Sequence, residues 1–316
     1  MAESKGRKVV ITGAAGLVGQ NLIPRLKAKG FTDIVAIDKH PTNVRILEKF
    51  HPSLRVLHRD LADVSTGDWA SELAGCQALV IGHAQIGGIV PEEYVRNNVV
   101  ATERLLAAAA RHQVPYIVSI SSSVVNSMAV DNYTETKKAQ EALVAASGIK
   151  QVVLRPTLMF GWFDRKHVGW LARFMQRVPV FPIPGSGKFL RQPLYAADFC
   201  EVIVSSILNE KTGAYNITGQ ERIDYIDLIR AVKRATAAKA RIQKIPYSVF
   251  WSLLKVNSVF DRDPAFTVGQ LKALVTPDVF EVIDWPGIFG VRATPLQEAL
   301  DATFQDPVYS KVALDF

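Results

Sequence analysis

A tyrosine and a lysine four residues apart are the side chains of this sequence best suited to move a proton. Tyr133 and Lys137 belong to a segment, Asn132 to Ala146, whose periodicity predicts a helix, so both side chains lie on one face. A phenol with a pKa near ~10 is a poor base at neutral pH unless its anion is stabilised. An ammonium group one helical turn away, together with a second positive charge in the site, favours that anion. We therefore expect Tyr133 to exchange a proton with a substrate hydroxyl.

A run of three serines precedes this pair and can supply a hydroxyl that holds the substrate oxygen. Ser121, Ser122 and Ser123 directly follow a predicted strand, Tyr116 to Ile120. The Tyr-x-x-x-Lys spacing alone is not diagnostic, because chance produces it often. Its position, one loop after the fifth strand of a repeating pattern, makes the constellation specific.

A stretch near the N-terminus predicts a strand, a tight turn and a helix, in that order. The run Val9 to Thr12 leads into Gly13, Gly16 and Gly19, and an apolar-periodic segment, Leu17 to Leu26, follows at once. Such a turn brings the backbone against a pyrophosphate and aims a helix N-terminus at it, where a Cβ would hold the phosphates away. The pattern predicts a dinucleotide site.

An acidic residue at the end of the next predicted strand indicates which dinucleotide is bound. Asp33 to Asp38 is predicted to be that strand, and Asp38 comes 19 residues after Gly19. A carboxylate there can accept hydrogen bonds from both hydroxyls of the adenosine ribose, and it would repel a 2′-phosphate. The sequence therefore predicts NAD. The alternative, a loop glycine cluster beside a solvated aspartate, does not account for the β-α-β spacing.

Strands and helices continue to alternate, which predicts an α/β fold of the Rossmann type, a doubly wound parallel sheet with helices on both faces. Further strands are expected at 54–59, 78–82, 116–120 and 149–154, and helices at 66–73, 91–112 and 132–146. In such sheets ligands bind beyond the carboxyl ends of the strands. The motifs above fall at those ends, as do Asp60-Leu61 and His83-Ala84-Gln85.

The second half predicts a smaller, mixed α/β part that binds the substrate. We expect an NAD-binding domain over 1–160 and a substrate-binding domain over 161–316, with 190–218 partly returning to the first. Helices are expected at 166–178, 196–208, 225–236, 247–254, 267–274 and 294–303, and a short strand at 214–217. The Pro- and Gly-rich stretch 181–188 is either a lid or a rigid connector, and Trp251 is expected in the core.

Composition and charge favour a globular protein that binds small polyanions. The formal charge is +7, from 37 Lys and Arg against 30 Asp and Glu, and the basic residues are scattered without a stripe interleaved with aromatics. We therefore expect no nucleic-acid partner. Two cysteines are too few for a disulfide framework or a metal site. With no secretory signal and no run approaching ~20 apolar residues, we expect no membrane span and a cytoplasmic location.

Residues 8 to about 218 resemble the extended short-chain dehydrogenase/reductase superfamily, and within it the NAD-dependent epimerases and dehydratases. The matching residues are Thr12 to Gly19, Asp38, Asp60-Leu61, His83-Ala84, Ser121 to Ser123, Tyr133 with Lys137, Leu154-Arg155-Pro156, Phe160-Gly161, Arg191 to Tyr195, Asp198 and Tyr215 to Gly219. The resemblance implies a catalytic Ser-Tyr-Lys set and bound NAD. The residues that it places at the cofactor are Gly13, Ala15, Gly16, Leu17, Val18, Gly19, Asp38, Lys39, Asp60, Leu61, His83 and Ala84, together with Tyr133 and Lys137.

The resemblance also implies a substrate held between the two parts, most often a nucleotide-diphosphate sugar. Arg191 would bind the diphosphate, although an ordinary surface strand residue is an equally good interpretation. Gln85, Ser122 and Phe160 would contact the substrate as well. A homodimer is usual in the family, formed through the helices expected at 91–112 and 132–146.

Two departures from the family pattern affect the site. Only ten residues separate Ser123 from Tyr133, where the family usually has a longer loop, so Ser123 is our choice of catalytic serine and Ser122 the alternative. Leu158 stands where an asparagine often contacts the substrate.

The expected function is NAD-dependent epimerisation of a nucleotide sugar or reduction of a 4-keto sugar, with Tyr133 as the acid/base. A 4,6-dehydratase is disfavoured, because Ser122-Ser123-Val124 lacks the acid pair usual at that position. One alternative is an NAD(P)-dependent dehydrogenase or reductase of a hydrophobic alcohol or ketone, steroid-like or flavonoid-like, which Leu158 favours. Another is a protein that binds NAD(P)H without turnover, and the intact Tyr133 and Lys137 argue against it.

Overall fold

A seven-stranded parallel sheet lies at the centre of the protein, whose structure is a computed structural model. The structure describes residues 7–63, 65, 67–126, 131–260, 271, 274–275 and 280–315, without the side chains of 257–260. The strands of the sheet are β1 (Lys8–Thr12), β2 (Asp33–Asp38), β3 (Arg55–His58), β4 (Ala78–Ile81), β5 (Tyr116–Ile120), β6 (Lys150–Pro156) and, after four strands that lie outside this sheet, β11 (Gly213–Ile217). Their order is β11-β6-β5-β4-β1-β2-β3, and each neighbouring pair is parallel.

Helices cover both faces of this sheet. They are α1 (Leu17–Ala28), α2 (Pro41–Phe50), α3 (Pro91–Tyr94), α4 (Ala101–Arg111), α5 (Asn132–Ala146) and α7 (Ala196–Asn209), with a π-helical segment, Val95–Val100, joining α3 to α4. Successive side chains of a strand point to opposite faces. Val9 and Ile11 therefore pack in one cluster with α1 and α7, and Val10 packs in another with α4 and α5. The predicted doubly wound α/β fold is confirmed.

The register of the strands explains why the predicted site residues converge. Thr12, the last residue of β1, pairs with Ile37 of β2 on one side and with Ile81 of β4 on the other. The carboxyl ends of these three strands are therefore level. From β1 the chain winds outward to β2 and β3, and it then returns to start again at β4, so β1 and β4 border the switch point where such sheets bind ligands.

The C-terminal part packs helices and short strands into a second core. Its strands are β7 (Met159–Phe160), β8 (Val180–Pro184), β9 (Leu190–Arg191), β10 (Leu194–Tyr195), β12 (Ile223–Asp224) and β13 (Arg241–Ile245), and its helices are α6 (Val168–Arg177), α8 (Tyr225–Thr236), α9 (Tyr247–Phe260), Trp285–Phe289 and Leu296–Phe304. The pairs β7–β10 and β8–β13 are parallel, and β9–β12 is antiparallel. Buried residues of α6, α8 and the last helix form the core of this part.

Several elements differ from the prediction. The helix expected at 66–73 is a single 3₁₀ turn at Ala70–Leu73 where it is described, and α2 was not predicted, although Pro41 at its first position is a known helix start. Residues 181–184 of the stretch 181–188 belong to strand β8, which pairs with β13, and this pairing favours the rigid connector over the lid. The helix expected at 91–112 contains the π-helical segment.

The prediction for Trp251 is wrong. We predicted a core position, but its side chain on α9 is 38% exposed. The helix expected at 267–274 lies mostly outside the described residues. Among the helices that the structure describes, none is both long enough and apolar enough to cross a bilayer.

Candidate active site

The turn after β1 is built around Gly13, whose backbone passes close to β4. Gly13 has a φ of +65°, and a Cβ on it would lie 2.6 Å from the carbonyl carbon of Gly82. Both conditions require glycine. The Gly13 carbonyl accepts a hydrogen bond from the Gly16 N–H at 3.1 Å, which closes the turn. A Cβ on Gly19 would lie 2.3 Å from the Ala14 oxygen, so this glycine lets α1 pack directly on the turn.

This turn fits the pyrophosphate that the sequence predicts. The N-cap of α1 is Gly16, and no side chain caps the helix there, so the N–H groups of the first turn remain available to an anion. Ala15 is fully buried beneath the turn, whereas Leu17 and Val18 are half-buried at the start of the helix. The room that Gly13 leaves is the close backbone approach that a dinucleotide needs.

Asp38 ends β2 beside this turn and stabilises it. One carboxylate oxygen accepts a hydrogen bond from the Ala15 N–H at 2.9 Å, and the other accepts from the His40 N–H at 2.9 Å. Burial raises the pKa of Asp38, and the hydrogen bonds from His40 and Ala15 oppose that shift. Each carboxylate oxygen has a second lone pair, so Asp38 can still accept from a ribose hydroxyl.

Asp60 and Lys39 form a charged group just beyond β2 and β3. The Asp60 carboxylate pairs with Arg96 at 2.8 Å and with Lys39 at 3.7 Å, and it accepts from the Ala62 N–H at 2.9 Å. Burial works against its ionised form, but the hydrogen bonds from Ala62 and Arg96 outweigh burial and lower the pKa of Asp60. The carboxylate is therefore charged at neutral pH. Leu61, which follows it, is buried.

His83, just after β4, connects β1 to α4. Its Nδ1 lies 2.8 Å from Thr12 Oγ1, and its Nε2 lies 3.1 Å from Thr102 Oγ1. Since Thr102 donates its own proton to the Asn98 carbonyl at 2.7 Å, it can only accept from the ring. His83 is thus assigned as the neutral Nε2–H tautomer, and burial, with Lys137 and Lys39 as weaker influences, lowers its pKa to about 3. The adjacent Ala84 is half-buried.

Asn98, in the π-helical segment, ties the loop after β4 to the helix that carries the tyrosine and lysine. Its Oδ1 accepts from the Gln85 N–H at 2.6 Å, and its Nδ2 donates to Thr136 Oγ1 at 2.9 Å. The Asn98 side chain is fully buried. The Gln85 side chain accepts from Asn97 Nδ2 at 2.8 Å, so this predicted substrate residue is held in place by the same segment.

Ser122 is the serine of the three-residue run that acts on Tyr133, since its hydroxyl lowers the pKa of the phenol. Ser122 is half-buried, and its Oγ accepts a hydrogen bond from the Val124 N–H at 3.4 Å. Ser123 is buried at the start of a 3₁₀ turn, Ser123–Asn126. The Ser121 hydroxyl is buried and has no hydrogen-bond partner among the described residues.

Lys137 lies one helical turn from Tyr133 and is 1% exposed. Its Nζ donates to the Ile120 carbonyl at the end of β5, at 2.9 Å, and to the side-chain oxygen of Gln140. The Gln140 amide in turn donates to Thr102 Oγ1 at 2.8 Å, so the ammonium belongs to the same network as His83. The position of Lys137 is thus fixed from two sides.

Burial shifts the pKa values of the two titratable groups in opposite directions. It raises the pKa of Tyr133, and the hydrogen bond with Ser122 only partly offsets that shift. It lowers the pKa of Lys137 to about 8, against the influence of Glu141, which is paired with Arg155 at 2.6 Å. In the protein alone Tyr133 is therefore a neutral phenol at physiological pH, which can donate a proton. Acting as a base requires a further positive charge beside it.

The predicted substrate residues of the C-terminal part have mixed environments. The guanidinium of Arg191, on β9, donates to the Leu190 carbonyl at 2.8 Å and to the Leu274 carbonyl. Phe160 is 1% exposed and stacks on Tyr195 at a centroid distance of 5.6 Å, so its side chain packs in the core. A role for either residue in substrate binding stays a prediction.

The sequence analysis did not predict the buried polar residues that link the motifs by hydrogen bonds. Asn98, Thr102 and Gln140 lie on helices, are buried, and join the ends of β1, β4 and β5 to Lys137. Their signal in the sequence is weak: polar residues on the inward face of a helix that is otherwise rich in alanine. The described residues contain no cluster of His, Cys, Asp and Glu that could hold a metal ion.

The chain is similar in sequence to several enzymes and similar in fold to solved structures. A ceramide reductase of Caulobacter vibrioides is 24% identical over 254 residues, which cover 78% of this chain and 76% of that protein. A dTDP-glucose 4,6-dehydratase of Streptomyces niveus is 25% identical over 311 residues, or 84% of this chain and 91% of that protein. Among solved structures, MoeE5 in complex with UDP-glucuronic acid and NAD has a TM-score of 0.71 at 23% identity, over 94% of this chain and 98% of that chain.

The match to a family model assigns the chain to a protein family. The model of the NAD dependent epimerase/dehydratase family matches residues 9–218, a span that includes the glycine turn, Asp38 and the Ser-Tyr-Lys region. NAD, predicted from the turn and the acidic residue, is the cofactor of this family. The chain is a member of the NAD dependent epimerase/dehydratase family.

Proposed function

We propose that this protein catalyses hydride transfer at a carbinol or ketone carbon of its substrate, with Tyr133 exchanging the proton on the oxygen. The observation that supports this most directly is the buried ammonium of Lys137, held by the Ile120 carbonyl and Gln140 one helical turn from Tyr133, with the Ser122 hydroxyl acting on the phenol. When bound, NAD would accept or donate the hydride. The residues that would hold it are those of the Gly13 turn and Asp38.

Ser122 and Tyr133 would both contact the substrate oxygen. Ser122 would hold it by a hydrogen bond, while Tyr133 donates its proton during reduction of a ketone. Burial favours the neutral phenol, so the free protein is already in the form that this direction requires. In the oxidative direction, Lys137 would stabilise the developing phenolate from one turn away. Ser123, our choice from the sequence, is the alternative.

The first candidate substrate is a nucleotide-diphosphate sugar, converted by epimerisation or by reduction of a 4-keto group. The support is the position of Arg191 in the C-terminal part, half-buried on β9, where it would meet a diphosphate. MoeE5, a structural relative, is seen with UDP-glucuronic acid and NAD. Net dehydration is not part of the proposal, because no acid stands in Ser122-Ser123-Val124.

The second candidate is a hydrophobic alcohol or ketone, and the surface near Arg191 favours it. Leu158, between β6 and β7, is 37% exposed in place of a polar residue, and Leu190 on β9 is 39% exposed. Arg191 itself is bonded to the carbonyls of Leu190 and Leu274. One relative of this chain is a ceramide reductase, whose name describes an apolar substrate class.

Activity of single variants tests the chemistry. Tyr133→Phe should lower kcat by about 10²- to 10⁴-fold while NAD binding stays nearly intact, since the change removes only the acid/base group. Tyr309→Phe, whose ring packs on Phe50 away from the site, is the matched control. Full activity of Tyr133→Phe would refute the proposal. Ser122→Ala should lower kcat more than Ser123→Ala does, and the reverse order would restore Ser123.

Arg191→Gln and Leu158→Asn distinguish the two substrate classes. If the substrate carries a diphosphate, Arg191→Gln should raise its KM by about tenfold or more, since a charge-assisted hydrogen bond is lost. For an apolar ketone, Arg191→Gln should change little and Leu158→Asn should raise KM. Mass analysis of ligands released on denaturation gives an independent answer, because retained NAD with a sugar nucleotide indicates an epimerase.

The domain boundary at 160, the homodimer through the helices of 91–112 and 132–146, and the cytoplasmic location belong to this proposal. The support for the first is that the cofactor residues named above precede 160, while Arg191 follows it. The dimer is checked by sedimentation of the purified protein, and a monomer at micromolar concentration would contradict it.

A further inference from the structure

Helix α9 exposes apolar side chains along most of its described length. Val249, Leu253 and Val256 are 47%, 59% and 59% exposed. Their spacing of four and three residues places them on one stripe of the helix. None of the residues from Tyr247 to Val256 is buried.

The rest of the helix is also apolar, with a narrow polar strip. Tyr247 and Trp251 are 40% and 38% exposed, and the charged residue between Tyr247 and Phe260 is Lys255, whose ammonium lies 5.2 Å from the Trp251 ring. Phe250 and Leu254 are half-buried, which indicates the side that faces the protein. The stripe of Val249, Leu253 and Val256 therefore borders the solvent. Single exposed apolar residues are ordinary, but a helix face of this kind is not.

The chain around this helix is strongly basic. From Leu228 to Phe260 the sequence contains seven basic residues and no acidic one: Arg230, Lys233, Arg234, Lys239, Arg241, Lys244 and Lys255. Lys239, Arg241 and Lys244 are exposed and form no ion pair with the described residues. Arg230 pairs with Asp227 at 2.8 Å, so the basic charge of this stretch that has no ion pair in the described part of the chain lies at Lys239, Arg241 and Lys244, just before α9.

An apolar stripe beside uncompensated basic side chains is the pattern of a helix that lies in the surface of an anionic bilayer. We propose that α9 docks the protein on anionic lipid, with Val249, Leu253 and Val256 entering the interface and the exposed Lys244, just before the helix, at the headgroups. A second copy of this chain fits less well. In a two-fold dimer the same patch meets itself, which would place basic residues against basic residues.

The dimensions agree with this proposal. The 14 residues of α9 form a helix of about 21 Å, long enough to lie along a surface and too short to cross a hydrocarbon core of about 30 Å. The inference concerns where the protein works and is independent of its substrate, so activity on a water-soluble substrate and lipid binding can each fail without the other.

Binding of the full-length protein to vesicles tests the proposal. We expect sedimentation with vesicles of phosphatidylcholine and phosphatidylglycerol, weak binding to phosphatidylcholine alone, and release by high salt. Lys244→Gln should weaken partitioning by about fivefold, since one basic residue near an anionic surface contributes that much. Leu253→Ser should weaken it by about tenfold or more, because an apolar side chain is withdrawn from the interface.

Two matched variants control for general effects. Leu208→Ser changes an exposed leucine, 41% accessible, on α7, and Lys29→Gln changes an exposed lysine after α1. Both should bind vesicles like the wild type. Absence of vesicle binding would overturn the proposal, and so would equal losses in the control variants. A dimer that dissociates in Leu253→Ser, without any vesicle binding, would assign the stripe to a second copy instead.

Discussion

The ends of β1 and β4 and the surface of α9 use their side chains in opposite ways. Beside β4, buried polar groups satisfy one another: Asn98, Thr102 and Gln140 are each hydrogen-bonded and nearly inaccessible. Along α9, the apolar side chains of Val249, Leu253 and Val256 are exposed. The first arrangement holds its groups in fixed positions, and the second leaves an apolar surface exposed. Substitutions should therefore cost stability in the first region and not in the second.

A pair of leucines gives the largest expected contrast. Leu26, on α1, is fully buried in the core, so Leu26→Ala should lower the free energy of unfolding by about 2–5 kcal/mol. Leu253→Ala should change it by no more than about 0.5 kcal/mol. Urea denaturation of both variants measures the difference. A large loss in Leu253→Ala would mean that α9 has a partner within the chain.

Alanine variants of two glycines distinguish the stability lost to a close contact from the stability lost to backbone strain alone. Gly13→Ala introduces a Cβ 2.6 Å from the Gly82 carbonyl carbon at positive φ, so we expect a loss of about 2–4 kcal/mol and impaired NAD binding. Gly30 also has positive φ, +80°, but a Cβ there meets nothing within 4 Å, so Gly30→Ala should cost about 1 kcal/mol. Equal losses in thermal unfolding would show that contact with β4 is unimportant.

Asn98 tests the network that joins the Gln85 loop to α5. Asn98→Ala leaves the Gln85 N–H and other buried groups unpaired, and we expect a loss of about 1–3 kcal/mol with a fall in kcat. The control is Asn209→Ala at the exposed end of α7, where the side chain bonds only to Ser205 among the described residues. If Asn98→Ala lowers stability but leaves kcat unchanged, the network does not position the reacting groups.

His83 predicts how the network responds to acid. Its pKa falls from 6.5 in the unfolded chain to about 3 in the folded protein, so above pH 6.5 both states are neutral and the group has no effect. Between these values only the unfolded state takes up the proton, and unfolding is favoured by about 1.4 kcal/mol per pH unit. His83→Gln removes this titration. The wild type should therefore lose stability relative to the variant as pH falls below 6.5, and parallel curves would contradict the assignment.

The sequence was informative where one residue type answers one local requirement. The β-α spacing predicted the sheet, and β2, β5, α5 and α8 begin and end where expected. The role of Gly13 could be predicted because glycine is the residue type that fits a position with positive φ and no room for a Cβ beside a neighbouring strand. Asp38, the acidic end of β2, could also be predicted, because it lies a fixed number of residues after the glycine turn.

Roles that depend on contacts with residues distant in the sequence could not be predicted from the sequence. Asn98 and Gln140 are defined by what they meet across the fold, and a polar residue in a helix gives no indication of its partner. Trp251 was placed in the core because aromatic residues usually lie there, but burial depends on whether another element covers α9. The choice between Ser122 and Ser123 depends on the backbone of a short turn, which residue types do not specify.

The pairing of β11 with β6 determines which pieces of this chain can stand alone. β11 is contributed by residues 213–217, and α7 covers α1 from the same later stretch. A truncation after residue 160 would remove both, leaving β6 as a bare edge strand with unpaired N–H and C=O groups and α1 with an uncovered apolar face. Such a fragment should aggregate on expression, so the cofactor-binding half has to be studied in the intact polypeptide.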